Sequence, residues 1–384
     1  MKNMLVFFVS VLTVVSVMIG SLCVQSIFAA KGELDISAPS AILIEVSSVK
    51  ILYEKNSDEK RHPASVTKVM TLLLVFEAID SGKINMTDDV SVSENAASMG
   101  GSQIFLEVGE IMSVEDMIKS VTVCSANDAA VALAEHIAGS EEEFVSLMNK
   151  RAEELGMKNT HFENTNGLDD TTDTHLTSAR DIAIMSRELL KHEKIFDYTT
   201  IWQDTVREGR FTLTNTNKLI RFYKGANGLK TGFTSKSGYC ISASAKRDRM
   251  QLIAVIMGAE SSDSRNVSAK KLFDYGFANY AYIEYPASEC ENIKVVGGVN
   301  ESARTGYNSF CDVIPKGDAA SLKKEFFLDP EVKAPAEMGK VVGKVVYKTG
   351  DKVICERDIY LLEKAEAVNF EKIFKKMLKN YFLL

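Results

Sequence analysis

Three consecutive segments rich in β-forming residues constrain the fold of this 384-residue chain more than any other feature. They span 229–234, 239–245 and 251–257, and only short turns separate them. Strands joined by turns this short can pair only in the antiparallel sense. The sequence therefore predicts an antiparallel sheet in this part of the chain.

Apolar periodicity predicts helices on both sides of these strands. Helical spacing marks the stretches 66–78, 112–156, 175–190 and 267–280. Thr177 and Ser178 are alternative N-caps for the helix that ends near 190, with Asp181 in its first turn. Two further β-forming segments, 41–46 and 49–54, predict a hairpin near the start. Together these elements predict an α/β domain of the α+β kind, in which an antiparallel sheet is combined with helices.

The composition changes after residue 281. Short alternating segments with glycine-rich turns follow one another at 293–296, 309–314, 340–347 and 352–361. This pattern predicts a small all-β domain over 282–362, which leaves 31–281 for the larger domain.

The N-terminus carries an export pattern. Lys2 precedes an apolar run over 5–22, and the small residues Ala29 and Ala30 follow it. This pattern predicts a secretory signal peptide over 1–30. A retained membrane anchor is the alternative, because the run is long for a signal core. Both interpretations place the remaining chain outside the cytoplasm.

The last segment, 363–384, has the pattern of a basic amphipathic helix. Its apolar residues recur at helical spacing from Phe370 to Phe382. The opposite side holds Lys372, Lys375, Lys376 and Lys379. The segment is too short and too charged to span a bilayer, so we expect it to lie on the outer face of the cytoplasmic membrane. Packing against its own domain is the alternative.

Charge and metal-ligand spacing exclude two broad classes of function. The formal net charge of −7 argues against nucleic acid as a partner. The 6 cysteines form no C-x-x-C motif, and the 5 histidines show no metal-ligand spacing. We therefore predict no catalytic metal.

A Ser-x-x-Lys motif at Ser65 and Lys68 can pair a nucleophile with its base. On a helix, this spacing puts both side chains on one face. Desolvation and neighbouring cations lower the pKa of a lysine, which can then accept the serine proton. The motif alone is weak, because it recurs at four other serines as an ordinary surface pair. Among these serines, Ser65 alone begins a long apolar helix.

Two further motifs follow in the chain. Ser125-Ala126-Asn127 lies on a predicted loop between buried helices. Lys230-Thr231-Gly232 lies within a predicted strand, where its glycine lets a substrate backbone approach closely. A second Lys-Thr-Gly, at 348–350, falls between two β segments and indicates a hairpin turn. The order Ser-Lys, Ser-Asn, Lys-Thr-Gly occurs in class A β-lactamases and penicillin-binding proteins.

These stretches resemble those of the serine-type D-Ala-D-Ala carboxypeptidases, which are low-molecular-mass penicillin-binding proteins. The similarity covers roughly 37–280 and includes Gly100-Gly101-Ser102, Asn166-Gly167-Leu168-Asp169, Ser178-Ala179-Arg180-Asp181 and Asn215-Thr216-Asn217. It implies a serine β-lactamase/transpeptidase-like domain, followed by a β domain and a terminal helix. Ala126 is a departure, because glycine is commoner there in this family.

The resemblance also implies a mechanism, which requires no cofactor. Ser65 would attack the carbonyl between two D-alanines and form an acyl-enzyme, with Lys68 as base and Ser125 as proton relay. The residues expected to bind substrate are Asn127, Lys230, Thr231, Gly232, Phe233 and Arg265. The backbone N–H groups of Ser65 and Phe233 would form the oxyanion hole. For Arg265, a surface salt bridge is the alternative.

The implied substrate is the peptidoglycan stem pentapeptide, which loses its terminal D-alanine, and the implied inhibitors are β-lactams. A β-lactamase shares the fold and motifs, but this sequence has no clear glutamate motif for rapid deacylation and carries an additional β domain. A catalytically silent scaffold that binds peptidoglycan is a third possibility. Its drawback is that all three catalytic motifs are intact.

Overall fold

The computed structural model describes residues 34–168, 172–371 and 374. Contacts divide the chain into a unit that ends at Ile36 and a unit that begins at Ser37, and the following description concerns the second. The predicted signal peptide lies outside the described residues. No helix in the described part of the chain combines the length and apolarity that crossing a bilayer requires.

The larger domain mixes helices with antiparallel strands, as predicted. Its strands are β1 (Ser40–Glu45), β2 (Ile51–Lys55), β3 (Asp89–Ser91), β4 (Ile111–Ser113), β5 (Gln203–Val206), β6 (Phe211–Thr214), β7 (Ala226–Thr234), β8 (Gly238–Arg247) and β9 (Met250–Ala259). Its helices are α1 (Lys68–Asp80), α2 (Glu94–Ala97), α3 (Val114–Val123), α4 (Asn127–Ala138), α5 (Glu141–Glu154), α6 (Ala179–Leu189), α7 (Ile195–Thr199), α8 (Leu219–Phe222) and α9 (Ser262–Asn279).

A five-stranded antiparallel sheet, in the order β2-β1-β9-β8-β7, forms the centre of this domain. The predicted hairpin and the three predicted strands are all confirmed as members of this sheet. Strand β9 is apolar and buried along almost its whole length, and both α6 and α9 pack against it. Ser178 caps α6 by accepting a hydrogen bond from the N–H of Asp181, so Thr177 is not the cap.

Helix α1 is buried on nearly every side. Its buried residues include Lys68, Met70, Leu73 and Phe76, and it packs against α4, α5 and α6. A helix that is apolar all round belongs inside a core, because no face of it suits water. The first residues of α1 are therefore held inside the domain rather than at its surface.

The second part of the chain from Ser37 is the predicted all-β domain. Its strands are β10 (Tyr280–Tyr285), β11 (Ser288–Glu289), β12 (Ile293–Val296), β13 (Ser302–Ala303), β14 (Thr305–Tyr307), β15 (Phe310–Pro315), β16 (Leu322–Leu328), β17 (Val332–Lys333), β18 (Val341–Thr349) and β19 (Lys352–Leu361), with one short helix, α10 (Lys316–Ala319). The largest sheet has the order β11-β14-β19-β18-β16. Lys348 and Thr349 end β18 at the hairpin to β19, which confirms that the second Lys-Thr-Gly forms a turn.

The chain leaves the β domain after several further pairings. Ala365 bridges Ala336, and the N–H of Val368 donates to the carbonyl of Gly297 at 2.9 Å. Most of the predicted amphipathic helix lies outside the described residues. Two residues of the predicted apolar stripe, Phe370 and Phe374, are described, and both are exposed, with their ring centroids 6.2 Å apart.

Candidate active site

Ser65 lies in a single 3-10 turn, Ala64–Thr67, that leads directly into α1. Lys68 follows as the first residue of α1, and its Nζ lies 3.0 Å from the Ser65 Oγ. The predicted juxtaposition of the two side chains is therefore present. The residue before Ser65 has an unusual backbone, since Ala64 adopts a φ of +48°.

Lys68 is the most constrained side chain of the site. It is 0% exposed, and its Nζ also lies 2.5 Å from Asn127 Oδ1 and 2.7 Å from the carbonyl oxygen of Asn166. Burial lowers the pKa of Lys68 well below its usual value, and the nearby charge of Lys230 lowers it further. Asp128 opposes this shift. The pocket therefore favours an uncharged amine at Lys68.

Ser125 and Asn127 enter the site from the junction of α3 and α4. Ser125 is buried, with a φ of +69° that few side-chain-bearing residues adopt. Asn127 is already the first residue of α4 rather than part of a loop, and its Nδ2 donates to the carbonyl of Gly100 at 2.7 Å. Ala126 between them has an ordinary φ of −55°, so a methyl group in place of glycine adds no backbone strain.

Strand β7 contributes the Lys-Thr-Gly motif. Lys230 is 1% exposed, and burial lowers its pKa to about 7, with the charge of Arg265 acting in the same direction. Its Nζ donates to the carbonyl of Thr231 at 2.9 Å. The Thr231 hydroxyl in turn donates to the Thr216 hydroxyl at 2.7 Å. A row of polar groups therefore lines this strand inside the domain.

Gly232 allows β7 to approach the turn that carries Ser65. A Cβ atom at this position would lie 2.9 Å from the carbonyl oxygen of Pro63 and 3.0 Å from the backbone nitrogen of Ser65. Only glycine permits this separation, so the motif's third residue is a steric requirement. Phe233 follows with 54% exposure, and its ring stacks on that of Tyr239 at 4.2 Å.

Arg265 lies in the first turns of α9 and is buried, which excludes the surface salt bridge considered from the sequence. Its guanidinium donates to the carbonyl of Cys240 at 3.4 Å and to the hydroxyl of Ser262 at 3.2 Å. Burial lowers the pKa of Arg265 to about 10. Its charge acts on Lys230, but within the part of the chain that the structure describes its hydrogen bonds go to residues outside the predicted site.

The segment 163–167 contacts Lys68 and the turn that carries Ser65, and the sequence predicts no role for it. Asn166 supplies the carbonyl that accepts from Lys68, and Gly167 has a φ of +87°. A Cβ atom on Gly167 would lie 1.9 Å from the carbonyl oxygen of Ala64. Both residues fall in a stretch that resembles the family, but no local spacing connects them with a motif 98 residues earlier.

The chain is similar to known proteins over most of its length. Residues 27–261 match the family model for D-alanyl-D-alanine carboxypeptidases, and residues 288–367 match the model for the C-terminal domain of penicillin-binding protein 5. The chain is 43% identical over 356 residues to D-alanyl-D-alanine carboxypeptidase DacF of Bacillus subtilis, which covers 91% of each chain. It is 34% identical to DacC of Escherichia coli, which covers 88% of each chain.

Solved structures show the same similarity. Penicillin-binding protein 5 from Haemophilus influenzae superposes with a TM-score of 0.80 at 34% identity, covering 86% of this chain and 98% of that one. Penicillin-binding protein D2 from Listeria monocytogenes, in its ampicillin-bound form, superposes with a TM-score of 0.59 at 30% identity, covering 64% of this chain and 99% of that one.

These matches extend over both the larger domain and the β domain, and they favour the carboxypeptidase over the β-lactamase and the silent scaffold. The fold of the solved penicillin-binding protein 5 supports the same assignment. The chain therefore belongs to the D-alanyl-D-alanine carboxypeptidase family of penicillin-binding proteins.

Proposed function

We propose that Ser65 attacks the carbonyl carbon between the two D-alanines of a peptidoglycan pentapeptide and that Lys68 accepts its proton. The observation that carries this assignment is the environment of the Lys68 Nζ. The Oδ1 of Asn127 and the backbone carbonyl oxygen of Asn166 accept hydrogen bonds from this Nζ at 2.5 and 2.7 Å. A neutral amine held this way directs its lone pair at the third neighbour, the Ser65 hydroxyl at 3.0 Å.

The negative charge on the tetrahedral intermediate needs hydrogen-bond donors. The backbone N–H groups of Ser65 and Phe233 are proposed to supply them, because Gly232 brings β7 close to the nitrogen of Ser65. Ser125 is proposed to pass a proton to the leaving amine of the terminal D-alanine. Water then hydrolyses the ester between the peptide and Ser65, which restores the serine and releases a tetrapeptide.

The terminal carboxylate of the substrate is proposed to bind at the Lys230 end of the pocket. Thr231 offers a hydroxyl there, and Arg265 is near enough for its charge to act on Lys230, so its guanidinium adds positive charge at this end of the pocket. A carboxylate in a buried pocket is stable only beside such donors. A pentapeptide amidated at its terminal carboxylate should therefore be a poor substrate.

A mass measurement tests the nucleophile. Benzylpenicillin should add one drug mass to the protein, on the tryptic peptide that contains Ser65, and free D-alanine should appear when a pentapeptide is supplied. The matched control is Ser321→Ala, which changes another Ser-x-x-Lys serine in the β domain. Labelling that persists in Ser65→Ala would show that Ser65 is not the nucleophile. Loss of labelling in Ser321→Ala would show that Ser65 was wrongly selected among the Ser-x-x-Lys serines.

We also propose where the enzyme acts. The N-terminal pattern supports export, and the basic amphipathic pattern of the last residues supports binding to the outer face of the cytoplasmic membrane. The 83% exposure of Phe370 supports this placement, because a helix packed on its own domain would cover that ring. The boundaries of the signal peptide and of the terminal helix remain predictions.

A further inference from the structure

The turn that carries Ser65 begins in an unfavourable backbone conformation. Ala64 has a φ of +48°, in the left-handed region where a Cβ is crowded, and it is 0% exposed. A residue other than glycine stays in this region only when its surroundings hold it there. The contacts of Ala64 therefore decide where the Ser65 side chain points.

Thr67 is one of these contacts. Its hydroxyl donates to the carbonyl of Ala64 at 2.9 Å, within the same turn. The same Thr67 oxygen lies 2.8 Å from Nε2 of His175, a residue 108 positions later in the chain. Thr67 and His175 are both 0% exposed, so water cannot replace either partner.

The hydrogen positions on His175 follow from its second neighbour. The backbone N–H of Glu163 donates to the Nδ1 of His175 at 3.0 Å, so this nitrogen carries no hydrogen. In a neutral ring the hydrogen then sits on Nε2 and is donated to Thr67. Burial lowers the pKa of His175 to about 3, which keeps the ring in this neutral form.

We propose that His175 is a positioning residue for the nucleophile, which acts through Thr67 to hold the Ala64 carbonyl and thereby the turn that aims Ser65 at Lys68. Gly167 also packs against the Ala64 carbonyl, since a Cβ atom on Gly167 would lie only 1.9 Å from the Ala64 carbonyl oxygen. The proposal rests on Ser65 being the nucleophile. His175 does not touch the reacting atoms, so its loss should slow acylation and leave the initial binding of substrate nearly unchanged.

Two substitutions of His175 separate its two hydrogen bonds. His175→Asn keeps an acceptor near the Glu163 N–H but removes the donor to Thr67, whereas His175→Gln keeps a donor that can reach Thr67. Thr67→Val removes the hydroxyl without a large change of shape, and Thr67→Ser retains it. We expect His175→Asn and Thr67→Val to slow acylation by benzylpenicillin by about 10-fold to 100-fold, with the dissociation constant of the first complex changed by less than about 3-fold. His175→Gln and Thr67→Ser should recover most of the rate.

The double variant tests whether the two residues act as one unit. Thr67→Val combined with His175→Asn should be no slower than the slower single variant, because both break the same chain of hydrogen bonds. Rates are measured on folded protein, with melting temperature recorded for every variant. Unchanged acylation in the folded variants, or multiplied losses in the double variant, would overturn the proposal. Failure of the parent enzyme to label at Ser65 would instead reject the nucleophile itself.

Discussion

Lys68 and Lys230 are both buried, and two amines in one pocket cannot both keep their usual pKa values. The charge of Lys230 adds to the effect of burial at Lys68, while Arg265 does the same at Lys230. One lysine can thus be neutral and accept a proton while the other stays charged for part of the time. This division of roles cannot be inferred from the motifs, which contain only the two residue types.

Lys68→Ala should fold and lose most acylation. Base and nucleophile act as a unit, so we expect a loss on the order of 10³-fold or more in the acylation rate. Stopped-flow acylation with a chromogenic β-lactam measures it. Lys348→Ala is the control, because it changes the Lys-Thr-Gly that forms a turn in the β domain. A near-normal rate in Lys68→Ala would contradict the assignment of Lys68 as base.

Lys230→Met should abolish substrate recognition and change how stability depends on pH. Burial lowers the pKa of Lys230 from 10.5 to about 7, so between these values the unfolded chain binds more protons than the folded one. The free energy of unfolding of the parent therefore increases as the pH rises across this window. The variant lacks this titration. The free energy of unfolding of the variant minus that of the parent should therefore be largest near pH 7 and decrease toward pH 10.

Urea unfolding at pH 7, 8.5 and 10 measures this difference. Lys348→Met provides the control, because its side chain is 30% exposed and pairs with Glu325. A difference between variant and parent that is the same at all three pH values would show that burial does not shift the pKa of Lys230.

At the scale of secondary structure, the site combines the N-terminal ends of two helices with one strand. Ser65 precedes α1, Ser125 precedes α4, and the Lys-Thr-Gly lies within β7. The helices and strands were predictable because apolar spacing is a local property. The position of Asn127 as the first residue of α4 was not, because no side-chain cap marks that end.

Gly167→Ala should disrupt the site far more than a matched glycine substitution. Gly167 and Gly139 have nearly the same φ, +87° and +88°, so alanine meets the same backbone strain at both. A Cβ on Gly139 meets nothing within 4 Å, whereas one on Gly167 would lie 1.9 Å from the Ala64 carbonyl oxygen. Gly139→Ala should cost about 1 to 2 kcal/mol in stability and keep its activity.

For Gly167→Ala we expect acylation to fall by about 10²-fold or more in whatever fraction folds, because the turn at Ser65 must move. Penicillin labelling normalised to folded protein provides the comparison. Equal activity of the two variants would mean that the contact between Gly167 and Ala64 does not support the nucleophile.

At the scale of the whole molecule, the two domains are joined by more than the chain. Strand β10 of the β domain follows α9 directly, and the Nζ of Lys50 in the larger domain lies 3.3 Å from Oδ1 of Asp312 in β15. The chain then contacts the β domain up to Val368. A truncation that removes only the terminal segment should therefore end no earlier than this residue.

A protein that ends at Asn369 should keep its peptidase activity and lose its affinity for membranes. The full mature chain should sediment with anionic liposomes, and less so in high salt, since each lysine near the surface adds about 1 kcal/mol. Phe370→Ala with Phe374→Ala is the control that keeps every charge, and it should weaken binding without changing activity, because both rings are exposed. Equal sedimentation of the full and truncated proteins would contradict the anchor.

The kinds of element, their order and the three motifs could be predicted from the sequence, because propensity, periodicity and spacing are properties of neighbouring residues. Context in the sequence also selected Ser65 among several Ser-x-x-Lys serines, since it alone begins an apolar helix. The distant groups that contact Ser65 and Lys68 could be identified only in the folded chain. The carbonyl of Asn166 lies 2.7 Å from the Lys68 Nζ, and His175 reaches Thr67 across 108 positions. Such contacts, and the pKa values that burial produces, depend on the packing of the whole domain and leave no local pattern in the chain.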